Sequence, residues 1–499
     1  MGMKLFWGDI HNHCGITYGF GGLENALNAA KEQLDFCSVT GHAMWPDMPD
    51  RNPDTDFIID FHLKGFSKLE KNWDNIKNKV EEYNKDGEFV TFQSFEVHSC
   101  QFGDYHIVSP DSELELNYLE SPMEVLKSQK CRAIAIPHHI GYTPGYRGIN
   151  WDSFDSTISP VVEVFSKHGC AMSEVALYPY YHDMGPRDSR NTVYNGLKRG
   201  KKFSFIASTD HHAGYPGSYG DGRLAVLAEE KTRESIWKAV NKGRTYAVTG
   251  DKIKCEFTVN GEVFGSTIHT NGNREIGFNV EAAYFIDKII IFKNLRPFKV
   301  ICGESLTDAN TSGRYKLRIE MGWGNSKSSF IWNCSSSVKD GRFVDVESCF
   351  RGRSVLSPTA GIAEDNNINR LTTKITEKTE TRVEWVCETF KNQSTLHPQT
   401  SAIILEVEGD INTTITFNIN GKNVEMTIKK LLENGMSVHM KPYSSEAFNI
   451  HTAVPQSKYC VSDSIIDGKA ETNSDIYHME VYQYNNQAAY VSPIFVMSK

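Results

Sequence analysis

The 499-residue chain has no run of about 18 apolar residues, which argues against a membrane-spanning helix. It has no C-x-x-C pair, and its 11 cysteines are scattered singly from Cys14 to Cys460. An odd count without paired spacing fits reduced thiols, not a disulfide framework or a thiolate zinc site. It also lacks a basic excess: 53 Lys and Arg face 62 Asp and Glu, for a formal net charge of −9. Nucleic-acid backbones and anionic membranes both attract basic surfaces, so both are disfavoured as partners and a small-molecule substrate is favoured. Tandem repeats and low-complexity stretches are absent too. The first apolar run, Leu5–Ile10, begins at once. That leaves no room for a secretory signal and sets the expectation of a cytoplasmic protein.

What is present divides the chain into two characters. Residues 1–250 alternate short apolar runs with amphipathic helical patterns. Strands are predicted at Leu5–Ile10, Phe36–Thr40, Phe89–Phe95, His106–Ser109, Ala133–Ile136, Val161–Phe165 and Phe203–Ser208. Helices are predicted at Leu23–Leu34, Phe66–Tyr83, from Pro122, and at Arg233–Lys242. Strand-then-helix repetition predicts an α/β parallel sheet, open or closed, with reactive residues at the C-terminal ends of its strands. Residues 251–499 are β-rich, with turns such as Asn260-Gly261 and Asn420-Gly421 between alternating runs. They are expected to form an antiparallel sandwich-like domain, which can serve as a substrate lid or as the surface of a homo-oligomer.

Histidine is concentrated in the first character: 12 of the 17 lie within the first 212 residues. Asp9-Ile10-His11-Asn12-His13 follows an apolar strand, and residues two apart on a strand face the same side, so His11 and His13 can reach one ion. Asp9 is either a further ligand or a carboxylate that orients one. Val39-Thr40-Gly41-His42 repeats the placement one unit later, and Phe95-Glu96-Val97-His98 ends an apolar strand in a carboxylate able to bridge two ions. His106 and His98 compete as ligands. In Pro137-His138-His139, at most one of an adjacent pair on extended backbone faces a given centre. Asp210-His211-His212 adds a mixed oxygen and nitrogen set at the end of another strand. Any one of these is often an ordinary structural residue; chance would scatter such residues over helices and loops instead of placing them at five successive strand ends.

The ordered set D-x-H-x-H, strand-His, strand-Glu, His and D-x-H resembles the PHP superfamily, named for polymerase and histidinol phosphatase, over about residues 4–250. A closer likeness is to a large, mostly uncharacterised bacterial PHP-type family with a β-rich C-terminal domain. Trp7–His13, Gly243-Arg244-Thr245-Tyr246-Ala247-Val248-Thr249-Gly250 and Ser492-Pro493-Ile494-Phe495-Val496 carry that likeness. The resemblance implies a distorted (β/α)7 barrel with two or three divalent ions (zinc, manganese or iron). It matches His11, His13, Glu96, His138, Asp210 and His212 to the ligands, with His42 and His106 beside them. Two positions depart from the pattern. Gly41 stands where many members have Asp, and Thr17, Tyr18 and Gly19 occupy the region of a usual histidine or acid, so one metal position is expected to be altered.

The expected function is metal-dependent hydrolysis by a metal-bound hydroxide, with a phosphoester as the favoured substrate. Asp210 is the candidate for ligating and for handling the water's proton, and His139 or His211 for protonating the leaving group. Arg147, Arg187, Arg190 and Arg223 are candidates to hold a phosphate, with Arg223 foremost; Tyr18, Trp45 and Tyr142 are candidates to line the pocket. The alternatives are a hydrolase of carbamates, esters or amides, and a binding module for glycan or protein whose metal site has decayed.

Overall fold

Apolar runs flanked by turn residues become strands where expected, and the computed structural model shows how they assemble. It describes residues 2–175, 183–306, 312–325, 329–354, 372–392 and 398–498. The first run forms the strand Lys4–Asp9, which pairs in parallel with Phe36–Cys37 and antiparallel with Arg223–Ala228. Phe36–Cys37 pairs in parallel with Val90–Thr91. A second sheet runs Gly41–Met44, Gln93–Val97, Tyr105–Ser109, Ile134–Pro137, and a third joins Ser204–Ala207, Val161–Ser166 and Gly169–Cys170.

The N-terminal half is thus mixed α/β in three hydrogen-bonded sheets, and one continuous parallel sheet is not formed. Tyr105–Ser109 is antiparallel to both of its neighbours. Only a short loop separates it from Gln93–Val97, and a parallel return needs a crossover of a dozen residues or so. The long helix spans Asp56–Tyr83 and starts well before the expected Phe66. Ile59, His62, Phe66, Leu69, Trp73, Ile76 and Val80 recur at three- and four-residue spacing and form its buried face. Exposed Phe57 and Leu63 blur that pattern in the first turns. Helix Pro122–Ser128 starts on a capping box of Ser121 and Glu124.

After residue 250 the sheets are almost wholly antiparallel. Lys254–Val259, Arg274–Glu281 and Cys460–Asp467 form one, and a nine-stranded sheet is built on Phe330–Cys349, Thr400–Ile419 and Ser312–Gly322. Asn260-Gly261 and Asn420-Gly421 turn with both residues at positive φ, as tight hairpins require. The chain does not part cleanly at residue 250. Strand Ala488–Met497 pairs with Thr245–Val248, and Ser474–Gln483 and Ile286–Lys293 extend the same sheet beyond it. Ser492 Oγ also accepts a hydrogen bond from Phe205 N at 2.6 Å, inside the strand that leads to Asp210. All 11 cysteines are unpaired. Among the described residues no helix is long and apolar enough to cross a membrane.

Candidate metal centre

Sheet register builds the centre. His42 lies opposite Glu96 on the neighbouring strand, and Glu96 lies opposite His106 on the next. Directly opposed residues share a face, so the three form a row. The ends of Lys4–Asp9, Ile134–Pro137 and Ser204–Ala207 deliver His11 and His13, His138 and His139, and Asp210 and His212 to that row. All of these side chains are buried.

Glu96 is the hub. Its Oε2 lies 3.3 Å from His11 Nε2, 3.2 Å from His13 Nε2 and 3.4 Å from His42 Nε2, while its Oε1 lies 3.3 Å from His138 Nε2. His13 Nε2 is 3.3 Å from His11 Nε2 and 3.1 Å from Asp210 Oδ1, and His11 Nε2 is 3.7 Å from that same oxygen. Two ligand atoms each about 2.1 Å from an ion stand about 3.4 Å apart at a tetrahedral angle. His11, His13, Glu96 and Asp210 therefore mark out the corners of a coordination shell. His13, His42 and His212 form a second compact group; His11, His106 and His138 a third; and Glu96, Asp104, His138 and His139 a fourth. Among the described residues, His106 Nε2 has no hydrogen-bond partner, although it is buried. A buried polar atom left so costs on the order of 1–3 kcal/mol, which an ion removes. The donor set fits divalent ions.

Protonation divides the cluster: burial lowers His11 and His13, but Glu163, Asp210 and Glu96 outweigh it and raise both above the ordinary imidazole range, so an ion there would displace their protons. Burial pushes His42, His106, His139 and His212 well below the ordinary imidazole range and keeps them neutral, the ligating form. Burial also pushes Glu96 and Asp210 upward, but the surrounding histidines outweigh it and hold both well below the usual carboxylate range.

His138 and His139 both face the centre. His139 Nε2 is 4.0 Å from Asp210 Oδ2 and 3.9 Å from Asp104 Oδ2. The rule for extended backbone does not apply, because His139 sits at φ 54 in the left-handed region. His98 and His106 both join as well: His98 Nδ1 is 3.1 Å from Asp104, and its Nε2 is 3.0 Å from the Tyr18 hydroxyl. Asp9 ligates nothing here. It accepts from Thr209 Oγ1 at 2.6 Å and Gly217 N at 2.8 Å, and so ties down the Asp210 loop.

Other expected residues lie elsewhere. The His211 ring turns away; its Nδ1 accepts from Ala213 N, and burial lowers it to about 4. Arg223 is fully buried and directs three of its five N–H donors to Gly217 O, Ser348 O and Gln33 Oε1. Arg190 pairs with Asp188 on the surface, and Arg187 is buried against Ile140 O and His168 O. Arg147 does border the centre, with Nη1 3.3 Å from Asp104 Oδ2. Trp45 is half-buried with its ring 5.8 Å from His98, whereas Tyr142 is buried and its hydroxyl donates to Asp183 at 2.7 Å.

Three residues of the centre escaped the sequence reading, Asp104, Glu163 and His168, as did His62, whose ring packs 5.0 Å from that of His98. Glu163 Oε2 is 2.9 Å from His11 Nδ1, which turns His11 Nε2 toward Glu96. A carboxylate inside the apolar run Val161-Val162-Glu163-Val164-Phe165 is the same cue that singled out Glu96.

Gly41 has a packing reason. A Cβ there meets Leu69 Cδ1 at 2.6 Å and Ile16 Cδ1 at 3.2 Å, so a side chain points into the core. Gly41→Asp is expected to add no metal equivalent and to lower stability by about 2 kcal/mol or more, through overpacking and a buried charge. Denaturant unfolding beside elemental analysis checks this, and a gain of bound metal contradicts it.

No family model matches the chain. It is 24% identical over 245 residues to an uncharacterized protein of Chlamydia pneumoniae, covering 44% of this chain and 39% of the relative. An uncharacterized protein of Chlamydia muridarum is 23% identical over 250 residues, again covering 44% and 39%. The chain thus spans about two fifths of the length of the curated relatives it matches. Among solved structures it is similar to a two-domain protein of Bacteroides vulgatus containing a predicted PHP-like metal-dependent phosphoesterase. The identity is 13%, with 85% of this chain and 95% of that one covered and a TM-score of 0.34.

Proposed function

We propose that the chain is a divalent-metal-dependent hydrolase and that its substrate is a phosphoester. The observation that carries this is the shell of His11 Nε2, His13 Nε2, Glu96 Oε2 and Asp210 Oδ1, in which His11 and His13 lie 3.1 to 3.7 Å from each other and from the two carboxylate oxygens, with Glu96 shared by neighbouring groups. His11, His13, His42, Glu96, His106, His138, Asp210 and His212 would hold the ions. Divalent ions bound there would supply Lewis acidity toward a phosphoryl or carbonyl oxygen and lower the pKa of coordinated water.

The chain's own groups do the rest. Asp210, held ionised with Oδ1 beside His13, is the candidate to handle the water's proton. His139, kept neutral by burial, is fit to ligate and poorly fit to donate a proton at neutral pH. Arg147 favours a phosphoester over a carbonyl substrate: its guanidinium stands beside the Asp104 and His139 group with a quarter of its side chain exposed, and guanidinium matches phosphoryl oxygens. Half-buried Trp45, with the Tyr18 ring 4.0 Å from His42, offers an aromatic wall for the leaving group.

Elemental analysis of protein purified without chelator comes first, and two or more equivalents of zinc, manganese or iron per chain are expected. A paired screen of phosphoesters against carboxyl and carbamate esters, run with the metal found, then tests the substrate class. Faster turnover of the carbonyl substrates would reject the phosphoester reading, and a chain that neither holds nor regains metal would reject the hydrolase and favour a binding module.

A further inference from the structure

Strand Val161–Ser166 turns back through Lys167 and His168 into Gly169–Cys170. The metal reading leaves His168 without a role, yet its ring is buried against the centre. Nε2 lies 2.9 Å from Asp210 Oδ2, and Nδ1 lies 2.5 Å from Asp183 Oδ2. The other Asp183 oxygen accepts from the Tyr142 hydroxyl at 2.7 Å. Tyr142 is itself held, with the Arg187 guanidinium 4.5 Å over its ring. Tyr142, Asp183 and His168 thus form a hydrogen-bonded chain that ends on Asp210.

Asp210 requires such a support. Its backbone is at φ 49, a left-handed conformation costly to a residue with a side chain. The last torsion of an Asp side chain is broad, so the backbone alone does not decide which oxygen faces the ion. Here Oδ1 faces His13 and Oδ2 faces His168. Both His168 ring nitrogens are engaged by carboxylates, Nε2 by Asp210 and Nδ1 by Asp183.

We propose that His168, backed by Asp183 and Tyr142, is a positioning residue that aims Asp210 Oδ1 at the ion held by His11, His13 and Glu96. The proposal rests on the metal reading above. Groups that orient a ligand cost about 10–100-fold in metal affinity when removed.

The test strips the full-length chain with chelator and titrates it with Zn²⁺ by calorimetry, so the readout is affinity and stoichiometry. His168→Ala is expected to weaken one site about 10–100-fold. His168→Gln, whose amide N–H can still donate to Asp210, is expected to recover most of that loss. Asp183→Ala is expected to show a smaller loss and to add nothing on top of His168→Ala. The Asp183 side chain is 43% exposed, so that variant keeps the proposal testable even where His168→Ala fails to fold. Wild-type affinity in both His168→Ala and Asp183→Ala would overturn the proposal while leaving the metal reading intact. A loss that Gln does not relieve and Asp183→Ala does not share would assign His168 a packing role and overturn it too. A wild-type chain that binds no Zn²⁺ would remove the metal reading and this proposal together.

Discussion

Glu96→Gln is expected to empty the centre: metal content should fall from two or more equivalents to less than one per chain. The substitution keeps the volume and removes the charge. Glu96 Oε2 faces His11, His13 and His42, and Oε1 faces His138, so one change acts on several groups at once. Losing an outer partner costs up to about 100-fold in affinity, and losing a shared ionised ligand should exceed that. His106→Ala, by contrast, removes one corner of one group and should cost at most one equivalent. Elemental analysis of the two variants side by side decides. Full occupancy in Glu96→Gln would mean that Glu96 is not the bridge.

Asp210→Asn is expected to separate binding from turnover. Asparagine keeps an oxygen able to face His11 and His13 but cannot accept a proton as the ionised carboxylate does. Metal should stay largely bound, while kcat falls by about a thousandfold or more, the scale on which loss of a single catalytic group is felt. The assay uses whichever substrate the paired screen identifies. Near-native turnover with metal in place would remove Asp210 from the chemistry and leave it a ligand only.

Much of the centre was legible because strands advertise themselves. An apolar run such as Leu5–Ile10 has few ways to be buried, and the polar residues at its end must then share an interior with those of its neighbours. His11, His13, His42, Glu96, His106, His138, Asp210 and His212 were all found by that cue, and the structure brings them together. What failed depended on backbone conformation or distant contacts. No pattern in Pro137-His138-His139 announces the left-handed φ that turns both rings inward. Arg223 looks like a free cation in sequence; only the fold shows the carbonyls of Gly217 and Ser348 around it. His62 was hidden because exposed Phe57 and Leu63 obscured the first turns of its helix. Glu163 needed no structure at all, since it interrupts an apolar run just as Glu96 does. The mixed sheets were missed for a related reason: strand pairing is set by where loops can reach, which local patterning does not record.

The pairing of Ala488–Met497 with Thr245–Val248, and of Ser492 with Phe205, sets a timetable for the nascent chain. A ribosome that has finished the whole cluster, whose last member is His212, has yet to make the strand that braces the Asp210 segment. Until residues 488–497 have emerged, that cluster of histidines and carboxylates lies in an unfinished sheet. On the proposed function, metal capture is expected to follow synthesis of that strand and to depend on the ions available then.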